Sequence, residues 1–157
     1  MTEKIAKLIL EDGTEFLGKS IGSEGETIGE IVFSTSMTGY IETLTDASFY
    51  GQIVVETFPL IGNYGINKDD YEGENPKLKG FIVKSCCKTP SNPRNEENLG
   101  NWLIKNNIIA IEGIDTRKLT KKIRENGVLN GAITTKEIKD KKEFLKKIRN
   151  FKIENAI

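Results

Sequence analysis

The chain has 157 residues, about one domain's worth, and a chain of that length buries on the order of 70% of the surface its unfolded form exposes. Apolar residues make up 37% and charged residues 29%, the balance of a soluble globular domain rather than of a disordered tail or a membrane protein. Twenty-three basic residues offset twenty-three acidic ones, so no overall field draws the chain to nucleic acid or to an anionic membrane, and neither is expected as a partner.

The first half reads as β-rich. "KIAKLIL" is an apolar run, Asp12-Gly13 is a strong hairpin signal, and "EFLGKSI" returns as the partner strand. The glycine-bearing piece "IGSEGETIGE" leads into "IVFST", a β-branched and aromatic run. "QIVVETF" and "KGFIVKSCC" are two further strand candidates, the second followed by the turn-rich "KTPSNPRN". From about residue 95 the period changes: "NEENLGNWLIKNN" sets Leu99, Trp102 and Leu103 at helical spacing behind Asn95 as an N-cap. "IIAI" is a short strand. In "DTRKLTKKIRENG" Asp115 caps the start, Leu119 and Ile123 share a face, and Gly127 stands where a left-handed terminator is wanted. "VLNGAIT" predicts one more strand, and "KEIKDKKEFLKKIRNF" a last amphipathic helix with Ile138, Phe144, Leu145 and Ile148 as its apolar contacts. The expected fold is α+β, with helices against a mostly β core.

Candidate chemistry is bounded by an absence. The sequence has no histidine, whereas nucleophilic triads usually borrow an imidazole base and most transition-metal sites use one. Cys86 and Cys87 are adjacent, which disfavours a bridge between them, and they read as small hydrophobes at a strand end. Gly22, Gly25 and Gly29 meet neither the dinucleotide-binding nor the P-loop spacing, so a plain loop is expected there. The basic run over 117–124 suits either an anion surface or a solvated helix face; zero net charge and the lack of interleaved aromatics favour the solvated face. Glu96 and Glu97 fall at a helix start, where the macrodipole accounts for them.

The stretch "STSMTGYIETLTDASFYGQ" is rich in hydroxyls and poor in charge. Gly39 and Gly51 permit turns, and Asp46 can cap a short helical turn that includes Ser48. A structural turn accounts for this composition, and so does a hydroxyl presented to an amide or carboxylate ligand. A stand-alone enzyme using Ser48, Tyr40 or a lysine is disfavoured, because an activated nucleophile needs a nearby base and no Ser-x-x-Lys pair occurs in the stretch.

The strings "LEDGTEFLGKSIG", "GEIVFSTSMTGYIETLTDASFYGQIV", "PLIGNYGIN" and "IAIEGIDTRKLTKKIRENG" closely resemble, in order, the N-terminal domain of the small subunit of glutamine-dependent carbamoyl-phosphate synthetase. The resemblance implies a swivelling β/β/α domain over 1–157, followed in the family by a C-terminal amidotransferase domain that carries the glutamine-hydrolysing residues. It implies a heterodimer with a large subunit that uses ATP and Mg to make carbamoyl phosphate for arginine and pyrimidine biosynthesis; a cytoplasmic location is expected separately, because no run of about eighteen apolar residues occurs and "MTEKIAKLIL" has a charge among its apolar positions. No cofactor is expected on this domain, and no catalytic residue. Within "LTDAS" the resemblance assigns Ser48 to the edge of the glutamine site. The final "IENAI" shows no boundary signal, which suits a piece of a longer polypeptide and an ordinary frayed terminus equally; the resemblance implies the former. The alternative is an autonomous module that binds a small amide or carboxylate ligand unaided.

Overall fold

The computed structural model describes residues 4–34, 50–56, 78–84, 99–127 and 129–152. Among these are seven strands: β1 Ile5–Leu10, β2 Glu15–Ser20, β3 Glu26–Ser34, β4 Gln52–Glu56, β5 Gly80–Ile82, β6 Ile109–Glu112 and β7 Leu129–Thr134. Three helices accompany them: α1 Leu99–Lys105, α2 Thr116–Asn126 and α3 Lys141–Asn150. The strands close into a barrel in the order β1-β2-β6-β5-β4-β3-β7. β3, β4, β5 and β6 run parallel, and the β2–β6, β1–β2, β1–β7 and β3–β7 pairs are antiparallel. The α+β class expected from the sequence holds; closure of the sheet is an addition that strand propensities do not contain.

Period-2 alternation divides the apolar residues between two sides of the barrel wall. Ala6, Leu8, Leu10, Phe16, Ile31, Ile53, Val55, Ile82, Ile111 and Ile133 fill the interior, and α2 adds Leu119 and Ile123 to that same cluster. Helix α2 therefore stoppers the barrel rather than lying on its outside. The outer face of the parallel strands, with Val54, Phe81, Val83 and Ala110, is covered by Trp102 and Leu103 of α1. Phe144 and Ile148 of α3 cover Ile9 and Ala132, with Ile28, Ile138 and Leu145 packed at the margin.

Local signals act where the sequence places them. Gly13 has φ +92° in the β1–β2 turn, and Thr14 N donates to Asp12 Oδ1 at 2.9 Å. Asp115 Oδ1 accepts from Lys118 N at 3.1 Å, and the Gly127 N–H closes α2 on Ile123 O at 2.8 Å. Two expectations need correction. Gly29 is not in a loop: it lies inside β3 opposite Gly131 of β7, where a polar-looking stretch is strand because its alternate residues Thr27, Gly29 and Ile31 all turn inward. The last helix begins at Lys141, not near 136, because Asp140 takes the N-cap and accepts from Glu143 N at 3.2 Å.

The hairpin turn is tied to both flanking helices. Lys122 Nζ meets Asp12 Oδ2 at 2.9 Å, and Arg149 Nε donates to Glu11 O at 2.9 Å. Partial burial pushes the Asp12 carboxyl up, but hydrogen bonds from Lys122 and Thr14 outweigh it and lower its pKa to about 2. The unfolded value is about 3.9, so the stability this contributes is present above about pH 4 and is lost as the pH falls through the folded value. With the two side chains 26% and 40% exposed, solvent screening limits the gain to less than about 1 kcal/mol. Asp12→Asn is expected to flatten the fall in melting temperature between about pH 4 and pH 2; an unchanged acid profile in the variant would exclude this ion pair as its source.

Candidate binding cleft at the carboxyl edge

Because β3 to β6 are parallel, their carboxyl ends form one rim at Ser34, Glu56, Ile82 and Glu112. Ligand sites in parallel sheets gather at that end of the strands. The chain leaves the described barrel from this rim three times, before 35–49, before 57–77 and, two residues past β5, before 85–98. Ser48, Gly39, Tyr40 and Asp46 belong to the first of these segments and lie outside the described residues, as do Cys86, Cys87, Asn95, Glu96 and Glu97. The chain re-enters at Tyr50, which is 41% exposed, and at Gly51, with φ +74°.

From the same rim β6 turns at Gly113, where φ is +86° and the N–H bonds Lys84 O at 3.0 Å. Asp115 then caps α2 directly over the barrel mouth. An open cleft of about 1190 Å³ results, lined by Phe33, Lys84, Asp115, Arg117, Lys121 and Arg124 among others. The Arg124 guanidinium sits over the Phe33 ring, 5.4 Å from its centroid, a cation–π contact that fixes the head group at the cleft wall.

The basic run of α2 thus divides by helical geometry. Lys118 and Lys122 turn toward the hairpin, the first over the Phe16 ring at 5.8 Å and the second onto Asp12. Arg117, Lys121 and Arg124, at i, i+4 and i+7, turn into the cleft. The aromatics missing from the basic sequence are supplied by β2 and β3, which sequence spacing could not reveal; nor could it bring Lys84 to this row. A smaller groove, about 460 Å³, lies at the opposite end of the barrel beside Lys7, Thr134 and Lys141. Among the described residues no group of histidine, cysteine or carboxylate side chains is arranged to hold a metal ion.

Comparison with known proteins places this chain in a family. Residues 8–133 match the family model for the carbamoyl-phosphate synthase small chain, CPSase domain. The carbamoyl phosphate synthase small chain of Listeria innocua is 52% identical over 153 residues, covering 98% of this chain and 41% of that protein. Those of Thermotoga maritima and Bacillus cereus are 51% and 56% identical over 146 and 127 residues, covering 93% and 81% of this chain and 37% and 35% of theirs. The chain spans about two-fifths of the length of these relatives, and with the family model matched over most of its residues it belongs to the carbamoyl-phosphate synthase small-chain family, as its CPSase domain.

Proposed function

We propose that this domain is the non-catalytic assembly part of the small subunit of a glutamine-hydrolysing carbamoyl-phosphate synthetase. On this reading it docks on the large subunit, packs against an amidotransferase domain of its own polypeptide, and lends Ser48 to the edge of the glutamine site. The large subunit uses ATP and Mg, and the assembled ligase is a cytoplasmic heterodimer that supplies arginine and pyrimidine biosynthesis. The barrel with its packed helices stands for the family's swivelling β/β/α domain.

The observation that carries the reading is the family match over 8–133, supported by a sequence that holds no histidine with which to build a glutaminase triad. Sedimentation of the purified chain with the matching large subunit tests docking: a one-to-one complex without glutamine turnover is expected, and glutaminase activity from these 157 residues would refute the non-catalytic assignment. Ser48→Ala in the intact small subunit tests the site. Loss of one hydrogen bond of about 1 kcal/mol raises KM for glutamine roughly fivefold and leaves kcat nearly unchanged; an unaltered KM would remove Ser48 from the site.

A further inference from the structure

Among the described residues the cations of the cleft face no carboxylate of their own. Among the described residues Lys84, Arg117, Lys121 and Arg124 have no carboxylate partner, whereas Lys122, on the adjacent face of the same helix, has one at 2.9 Å. Among the described residues one carboxylate lines the cleft, Asp115, and it is engaged in capping α2 through Lys118 N. Arg117 also stands in the first turn of α2, which carries no acidic residue, and a cation there opposes the helix macrodipole. Helix stability therefore does not explain its charge. Departures from local preference of this kind are expected at functional sites.

The row runs about 10 Å along the helix from Arg117 to Arg124. That is too long for one small anion and fits several carboxylates spread over a protein surface. Two of the three helix cations are arginines, whose planar forks take carboxylates two-pronged. The zero net charge of the chain makes this a local feature rather than a general basic field. We propose that the cleft formed by Lys84, Arg117, Lys121 and Arg124 is the docking surface for an acidic patch of a protein partner. Resting on the function proposed above, that partner is the large synthetase subunit.

Two measurements separate the surface chemistry from the partner. In the first, a decaglutamate peptide is titrated into the chain at low salt and followed by amide chemical shifts. Saturable shifts centred on Lys84 and residues 117–124, abolished in R117E/K121E/R124E, are expected; no shifts there would overturn the proposal whatever docks on the large subunit. In the second, association of the intact small subunit with the large subunit is measured across ionic strength. The triple reversal is expected to weaken binding at least about tenfold and to flatten its salt dependence, while K142E/K146E on α3 changes it by less than about twofold. Wild-type affinity and salt slope in the triple variant, or no association by the wild type, would overturn the identity of the partner, and the second result would overturn the docking reading with it. Matched circular dichroism melts keep a folding defect from passing as a binding one.

Discussion

Gly18→Ala is expected to lower stability by about 3 kcal/mol, out of proportion to one added methyl group. Gly18 faces the barrel interior from β2, opposite Ala6 of β1, and it passes close to the strand on its other side. A Cβ there would lie 2.3 Å from Glu112 O and 2.9 Å from Ile111 Cγ1. The first of these atoms is backbone, so no side-chain rotation relieves the contact. The β2–β6 seam is held at only Lys19↔Glu112 and Ser20↔Ile111, and β2 has to move away from it. For a domain of this size the loss corresponds to a melting temperature lower by roughly 6–12 °C. Gly13→Ala is the control: it forces φ +92° on an alanine with nothing within 4 Å, and conformational strain alone costs about 1–2 kcal/mol. Equal and small losses at the two positions would show that closure at this seam does not depend on Gly18.

That seam also marks the limit of what sequence could supply. Asp12-Gly13, Asp115 and Gly127 act within a few residues of themselves, so the first hairpin and the length of α2 were legible. The apolar runs "KIAKLIL" and "IIAI" likewise mark β1 and β6 as strands. Barrel closure requires Leu8 of β1 to meet Ile133 of β7 and Ser20 to meet Ile111. Such pairings are fixed by backbone approach across the sheet, and alternation, which reports only a residue's face, is the same whether or not the last strand finds the first. Gly29 reads as loop for a related reason: a glycine in a strand and one in a loop look alike in sequence until the opposite residue, Gly131, is known. At the cleft, the sequence shows a basic run over 117–124 and favours a solvated face for it; Phe33 of β3 and Lys84, two residues past β5, become its neighbours only through the parallel order β3-β4-β5-β6. Ser48 entered through family resemblance, since its own surroundings in sequence are equally those of a turn.

Leu119→Ala should be comparably damaging, at about 3 kcal/mol within the 2–5 kcal/mol range of buried leucine truncations. Alanine is the better helix former, so any loss reports packing and not the intrinsic stability of α2. Leu119 is fully buried and shares the interior cluster with Ile53, Val55, Ile82 and Ile111, so truncation opens a void at the barrel mouth that strand backbones on several sides hold open. Two residues on, Lys121→Ala on the solvent side is expected to stay within about 0.5 kcal/mol of the parent in urea unfolding. A Leu119→Ala cost under about 1 kcal/mol would mean that α2 rests on the surface instead of stoppering the barrel. The distinction reaches the proposed docking surface, because Arg117, Lys121 and Arg124 can hold a fixed row only if the opposite face of their helix is anchored. Leu119→Ala should therefore weaken decaglutamate binding as well, under conditions where the variant is still folded, although Leu119 itself never touches the peptide.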